Sequence, residues 1–439
     1  MRGSRVGRLL VVPALAALFQ VETPPAQAVS PPPVDEKWLP EPAAPAPSQP
    51  TVQREVCAAL SPSPVEPGRR PDQFADLDLP QVWQLTRGAG QRVAVIDTGV
   101  ARHQRLPNVV PGGDYVSTGD GTQDCDAHGT LVAGIIASTA DSKADGFSGV
   151  APDVTVISIR QSSAKFAPTD RSGVGVGDVE TMAKAVRTAA DLGASVINIS
   201  SVACVPAASV LDDRALGAAL AYAVDVKNAV VVAPAGNTAG NAQCPAQQPN
   251  ATWESVTVAV SPAWYDDYVL TVGSVNAEGA PSPFTLAGPW LDVAATGEAV
   301  TLFGSDPLSG TSYAAPVVSG LAALIRARFP TWTARQVMQR IESTAHHPPA
   351  GWDPFVGNGT VDALAAVSTD STPTSTSAPR TPPVAISPPP PPPHSRPPDA
   401  HVRATALRGA VIGMAALVLA LASLRLRGPR RPRDTVPGD

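Results

Sequence analysis

Three polar residues suited to acid–base and nucleophilic chemistry stand in short glycine-containing segments that lie far apart in the chain. Asp97 lies in VAVIDTGV, His128 in DAHGTLVAGIIAS and Ser312 in SGTSYAAPVVSG. A serine hydroxyl is a weak nucleophile at neutral pH. It needs a histidine to accept its proton and a buried carboxylate to hold that histidine in the right tautomer. Together these residues could carry out acyl transfer.

The segments around the three residues predict elements that bring them to one edge of a sheet. Arg92 to Ile96 has the apolar, β-branched pattern of a buried strand, and Asp97 follows it directly. His128 begins an apolar pattern at helical spacing, and Ser312 opens a helix from Tyr313 to Arg328. In open α/β sheets the ligand crevice lies at the carboxyl ends of the strands. A helix N-terminus there offers free N–H groups to an oxyanion.

The motifs DTG, HGT and GTS-x-A-x-P, in the chain order Asp, His, Ser, resemble those of the subtilisin (subtilase) superfamily. This resemblance implies a three-layer, parallel α/β sandwich and a catalytic triad of Asp97, His128 and Ser312. The segment VVVAPAGN is similar to the family segment whose asparagine helps to form the oxyanion hole. Asn237 would therefore donate beside the backbone N–H of Ser312. Each residue alone could be a turn former or a helix cap, so the specificity lies in the combination.

The same resemblance implies that Ser200, Ser201 and Val202 bind the substrate. The family's substrate strand continues from I-N-x-S into a glycine-rich stretch, whereas INIS continues here as SVAC. Side chains in place of glycines would crowd the primary specificity pocket. We therefore expect a narrow cleavage preference, with small or slender side chains on the acyl side of the cleaved bond.

The segment from Thr139 to Gly146 replaces the Asn-rich loop with which many bacterial subtilisins bind calcium. Asp141 and Asp145 could supply oxygen ligands, but two carboxylates that flank a lysine are more typical of a solvated loop. We predict no metal site, and the expected mechanism requires no cofactor.

The N-terminus has the features of a secretory signal peptide, over residues 1–28. Three arginines precede an apolar stretch from Leu9 to Phe19, and Ala26-Gln27-Ala28 forms an A-x-A cleavage pattern. An uncleaved anchor is the alternative, although the apolar stretch is short for a membrane span.

A second apolar segment, residues 404–424, predicts a single transmembrane helix. Only Arg408 interrupts it, and its length just meets the roughly 20 residues that cross a bilayer. Residues 425–439 carry five arginines, so the positive-inside rule predicts a cytoplasmic tail and an extracytoplasmic enzyme. A buried core helix is the alternative, but nothing downstream could pack around it.

Two proline-rich segments flank a foldable region, residues 71–367, which we expect to be the catalytic domain. Residues 29–70 form an N-terminal arm with too few apolar residues for a folded inhibitory prodomain. Residues 368–403 form a Pro/Ser/Thr-rich linker that cannot bury a core.

Within the foldable region, alternating strand and helix patterns predict βαβ units. Further strands are expected at Val154–Ile159, Ser195–Ile199, Ala229–Ala233, Val256–Val260 and Val269–Val275, and helices at Val179–Leu192 and Asp213–Val226. The segment from Gln161 to Asp178 interrupts this pattern, either as a mobile insertion beside the cleft or as a plain surface loop.

Four cysteines in an exported chain predict two disulfides, with three possible pairings. A bond from Cys57 to Cys125 would clamp the arm against the rim of the active site. A bond from Cys204 to Cys244 would tie the loop after the substrate strand to the loop after Asn237. The net charge of −6 gives no sign of nucleic-acid binding.

The chain combines a signal peptide, a Pro-rich arm, an Asp/His/Ser core, four cysteines, a Pro-rich linker and a C-terminal span with a basic tail. This combination is similar to that of the mycosins, the membrane-anchored subtilases of actinobacterial type VII secretion systems. This resemblance implies an extracytoplasmic serine endopeptidase that processes substrates of such a system and supports it. Its partners would be peptide substrates and secretion components in the membrane. Two alternatives remain: a structural part of the secretion complex with secondary proteolysis, and a general cell-surface protease.

Overall fold

The computed structural model describes residues 30–59, 73–141, 147–170, 175–209, 211–239 and 244–368. Four segments predicted from the sequence lie outside these ranges: the signal peptide, the transmembrane helix, the tail, and the linker apart from its first residue. None of the helices within the ranges combines the length and apolar character that a membrane crossing requires.

The described chain alternates strands and helices over most of its length. The helices are α1 (Leu79–Leu85), α2 (His128–Ala137), α3 (Val179–Asp191), α4 (Arg214–Ala221, continued by a π-helical turn at Tyr222–Val226), α5 (Thr311–Arg328), α6 (Ala334–Thr344) and α7 (Ala363–Ser368). The strands are β1 (Thr51–Gln53), β2 (Arg92–Asp97), β3 (Val109–Asp114), β4 (Thr155–Arg160), β5 (Phe166–Pro168), β6 (Val196–Ile199), β7 (Ala203–Pro206), β8 (Val230–Pro234), β9 (Val258–Ser261), β10 (Leu270–Val275) and β11 (Val293–Thr296).

Seven of the described strands form one parallel sheet, in the order β11-β10-β8-β6-β2-β4-β3. The side chains on both faces of β2, β6, β8 and β10 are buried, apart from Arg92 at the start of β2. Both faces must therefore be covered, as parallel sheets require. Helix α2 packs against α5, and α3 packs against α4. The expected parallel α/β architecture is confirmed.

Strand β3 is not predicted by its sequence, VVPGGD, because Pro and Gly are poor strand formers. It lies at the edge of the sheet, where β4 is its one partner among the described strands, and its register shifts between Pro111 and Gly113. An edge position tolerates a residue without an N–H group. Tertiary position has overridden local propensity here.

The prediction that the apolar segment Val256–Val260 continues the βαβ series is wrong. Its residues contribute to β9, which lies outside the parallel sheet and pairs antiparallel with β7, with Cys204 opposite Val260. An apolar run indicates burial but not a pairing partner, so the pattern could not distinguish the two arrangements.

The described part of the N-terminal arm, residues 30–59, packs along the surface of the folded region. The guanidinium of Arg214 lies 3.8 Å from the ring centre of Trp38. Further along, β1 pairs antiparallel with β5, and Cys57 is bonded to Cys125. The interrupting segment Gln161–Asp178 is therefore more than a plain surface loop, because β5 within it holds the arm.

Candidate active site

Asp97, His128 and Ser312 meet at the carboxyl edge of the sheet. Asp97 ends β2 and is only 3% exposed, and its Oδ1 lies 2.8 Å from His128 Nδ1. His128 Nε2 lies 3.0 Å from Ser312 Oγ. His128 is the first residue of α2 and Ser312 is the second residue of α5. The hydroxyl proton can therefore pass to Nε2 while Nδ1–H donates to the carboxylate.

Asp124 organises the start of α2, although the sequence pattern does not single it out. Its Oδ1 accepts from Thr98 Oγ1 and from the N–H of Ala127, both at 2.8 Å. Its Oδ2 accepts from the N–H and the Oγ1 of Thr130, at 2.9 and 2.6 Å. Thr98 Oγ1 in turn accepts from the N–H of Gly129 at 2.9 Å. These acceptors satisfy free N–H groups of the helix and fix its start against the end of β2.

The pKa of His128 lies above its usual value of about 6.5. Burial of the imidazole works in the opposite direction, because it disfavours the cation. The charge and hydrogen bond of Asp97, with the charges of Asp124 and Asp126, outweigh that burial. The imidazole is therefore a stronger base than a free one and suits proton abstraction from Ser312.

Asn237 lies beside Ser312 with its amide orientation fixed. Its Oδ1 accepts from the N–H and the Oγ1 of Thr311, both at 3.0 Å. The other end of the amide, Nδ2, lies 3.5 Å from the position that a Cβ at Gly310 would take, and Ser312 Oγ lies 3.3 Å from the same position. An amide donor and a helix N-terminus thus lie together beside the hydroxyl, an arrangement that suits a tetrahedral oxyanion.

A cleft of about 640 Å³ opens beside His128. The predicted substrate residues Ser200, Ser201 and Val202 all line it. The segments 161–165 and 175–179 line it too, and so does Asp126. Its volume is in the range of clefts that bind ligands.

Tyr313 is a further neighbour of the histidine that the sequence does not reveal. Its ring centre lies 5.2 Å from that of His128. Burial, with added repulsion from Asp97 and Asp124, raises the pKa of Tyr313 to about 12. The phenol therefore stays neutral near pH 7 and lies beside the imidazole.

Among the residues that the structure describes, no group of three or more His, Cys, Asp or Glu side chains is arranged to hold a metal ion. Asp145 lies outside the described residues. Arg105 donates from Nε to Thr139 O at 2.9 Å and from Nη2 to Phe147 O at 2.6 Å. A guanidinium thus binds Thr139, at the start of the loop considered for calcium, and Phe147, the residue after that loop.

Of the three possible disulfide pairings, the structure has Cys57–Cys125 and Cys204–Cys244. The first attaches the arm three residues before His128. The second joins β7 to the segment that follows Asn237.

The fold and this geometry define a serine protease of the subtilisin type. A family model described as the Subtilase family matches residues 88–359. Mycosin-4 of Mycobacterium tuberculosis is 70% identical to the chain, over 98% of the chain and 99% of its own length. The chain belongs to the subtilase family, among the mycosins.

Two solved structures extend the comparison. The MycP3 protease from the type VII (ESX-3) secretion system is 46% identical with a TM-score of 0.72, and the match covers 78% of this chain and 100% of that one. A chain from an intact ESX-5 inner membrane complex is 39% identical with a TM-score of 0.72, and the match covers 91% of this chain and 100% of that one.

Proposed function

We propose that this chain hydrolyses peptide bonds with Ser312 as nucleophile, His128 as general base and Asp97 as the carboxylate that orients the histidine. The observation that carries the proposal is the continuous pair of hydrogen bonds, 2.8 Å from Asp97 to His128 and 3.0 Å from His128 to Ser312. A nucleophile, a base and an orienting group in contact are the requirement for acyl transfer at neutral pH.

The reaction follows from these positions. Ser312 Oγ forms a bond to the peptide carbonyl carbon as its proton moves to His128 Nε2. Asn237 Nδ2 and the N–H of Ser312 bind the oxygen that becomes negative. The imidazolium then protonates the leaving amine, and a water molecule, deprotonated by the same histidine, hydrolyses the acyl-enzyme.

The substrate is a peptide bound along Ser200, Ser201 and Val202. These residues line the cleft beside the base, and side chains stand there instead of glycines. We expect kcat/KM to be highest for small or slender residues on the acyl side of the cleaved bond.

The Ser312→Ala variant tests the mechanism. We expect no measurable peptide hydrolysis and a melting temperature close to that of the wild type, because the change removes one oxygen near a helix start. Ser309→Ala is the matched control: it lies three residues away, is exposed and should keep full activity. Peptidase activity retained by Ser312→Ala would contradict the mechanism.

The enzyme works outside the cytoplasm, held by a single C-terminal membrane helix, in support of a type VII secretion system. The signal peptide over 1–28, the apolar segment 404–424 and the arginines after it support this placement. The names of the relatives support the secretion system: one similar chain is a protease of ESX-3, and another is part of an ESX-5 inner membrane complex.

Alkaline carbonate extraction of membranes tests the anchor. The full chain should stay with the membrane, and a chain that ends at residue 403 should be released. Release of the full chain would contradict the anchor.

A second candidate function is structural, as a part of the membrane complex. The similarity to a chain within the ESX-5 inner membrane complex favours it. The two functions differ in whether secretion needs the nucleophile.

A further inference from the structure

The Cys204–Cys244 disulfide joins two segments that both lie at the active site. Cys204 lies in β7, directly after the cleft residues Ser200 to Ala203. Cys244 lies in the segment that follows Asn237. The bond therefore spans from the substrate cleft to the amide beside the nucleophile.

Cys244 contacts the backbone around Asn237 directly. Its N–H donates to Asn237 O at 3.4 Å. The neighbouring Gly236 has a φ of 100°, and a Cβ added there would lie 2.9 Å from Cys244 Sγ and 3.6 Å from Val202 Cγ2. The disulfide, the turn before Asn237 and a cleft side chain are thus packed without room for another carbon atom.

Cys204 is equally fixed on the other side. It stands opposite Val260 in the β7–β9 ribbon, and Ala203 stands opposite Ser261. Ala203, Ser261 and Pro262 all line the cleft. One end of the bond therefore belongs to a hydrogen-bonded ribbon that forms part of the cleft.

We propose that the Cys204–Cys244 disulfide is a positioning element that holds the backbone of Asn237 at a fixed place relative to the cleft, so that Asn237 Nδ2 meets the oxyanion of a bound substrate. This proposal rests on the proposed catalytic role of Asn237. Thr311 fixes the amide orientation, and the disulfide fixes the main chain that carries it.

The other disulfide provides a matched control. Cys57–Cys125 joins the arm to the segment before α2, and within the described part of the chain neither cysteine hydrogen-bonds to Asn237. In each bond one cysteine is buried, Cys125 or Cys244, and its partner is at least partly exposed. Breaking the first should lower stability alone, and breaking the second should also lower kcat.

A double-mutant cycle tests the proposal with the whole exported protein. It compares the wild type, Cys204→Ser/Cys244→Ser, Asn237→Ala and the combination of all three substitutions, with active enzyme counted by a serine-reactive label. We expect the cysteine pair to lower kcat about 10- to 100-fold, as misplaced catalytic groups do, with a smaller change in KM. In the Asn237→Ala background the same pair should lower kcat less than about threefold, because no amide remains to be positioned.

Each other outcome of the cycle overturns the proposal. If the cysteine pair lowered kcat by the same factor with and without Asn237, the positioning role alone would be overturned, and the oxyanion role of Asn237 would stand. An Asn237→Ala variant with unchanged kcat would overturn the positioning role and the oxyanion role together. An unchanged kcat in Cys204→Ser/Cys244→Ser would also refute the positioning role.

A reduction experiment covers the case in which Cys204→Ser/Cys244→Ser does not fold. The variant Cys57→Ser/Cys125→Ser retains only the bond of interest, and dithiothreitol supplies the two electrons and two protons that open it while forming its own cyclic disulfide. We expect kcat to fall 10- to 100-fold as two thiols appear, and to recover on reoxidation. Full activity with two titratable thiols would overturn the proposal.

Discussion

The acid–base behaviour of the site follows from the carboxylates around His128. As the proposed general base, the imidazole could accept a proton from Ser312 only when it is itself neutral, and its pKa is raised above 6.5. Activity should therefore rise with pH, and the midpoint of the rise in kcat/KM should lie above pH 6.5.

Asp124→Asn should move that midpoint to lower pH. The substitution removes one of the negative charges that raise the pKa of His128, and it also removes an acceptor from the start of α2, so kcat should fall as well. The measurement is kcat/KM against pH, with the exposed Glu278→Gln as control. An unchanged midpoint would show that Asp124 acts on geometry alone.

Asn237→Ala should lower kcat by about 10²–10³, the usual cost of losing one oxyanion donor. Steady-state kinetics with a peptide substrate measure it. If KM changed while kcat did not, Asn237 would be a substrate contact and not an oxyanion donor.

Local sequence revealed the triad candidates because each stands in a short motif with glycines at fixed places. Asp124 and Tyr313 escaped detection for a physical reason. Their roles depend on contacts across the fold, to Thr98 in one case and to the His128 ring in the other. Asp124, the first Asp in DCDAHGT, carries no sequence signal that separates a helix-end acceptor from a turn residue.

The N-terminal arm is bound to the folded region by the pairing of β1 with β5 and by a disulfide. The two cysteines are 68 positions apart in sequence, and loss of the bond should cost about 2–4 kcal/mol in the chain-entropy description, with allowance for strain in the folded state. Cys57→Ser/Cys125→Ser should lower the melting temperature without raising activity. A many-fold increase in kcat/KM after trimming the arm would instead identify it as an inhibitor.

Helix α6 carries a carboxyl group that should make stability depend on pH. Burial, with repulsion from Asp266, raises the pKa of Glu342 to about 7, whereas the unfolded chain releases this proton near 4.3. The folded state therefore loses stability as pH rises between these values. Glu342→Gln should gain in melting temperature over the wild type as pH goes from 5 to 8. A difference in melting temperature between Glu342→Gln and the wild type that stays the same from pH 5 to 8 would contradict the raised pKa.

Strand and helix positions were predictable where burial and periodicity agree, as in β2, β4 and α3. The pairing of strands was not. Val256–Val260 is equally apolar in a parallel sheet or in a ribbon, and the pairing of β1 with β5 joins residues more than 100 positions apart. Such partners follow from the fold as a whole and leave no local pattern.

Export and membrane anchoring of the whole chain stay predictions from the two terminal segments. The role in secretion can be separated from proteolysis by genetics. A strain without the gene should regain secretion with the wild-type gene and fail to regain it with Ser312→Ala, if peptide hydrolysis is what the system needs. Full rescue by Ser312→Ala would favour the structural role instead.

Ser312 is the proposed nucleophile, and His128 is the base that would activate it. The most direct measurement is peptide mapping by mass spectrometry after reaction with a fluorophosphonate, which labels activated serines. We predict one adduct per chain, on Ser312, and none in the His128→Ala variant, because the hydroxyl then has no base at 3.0 Å. An adduct on another serine, or equal labelling without His128, would contradict the claim.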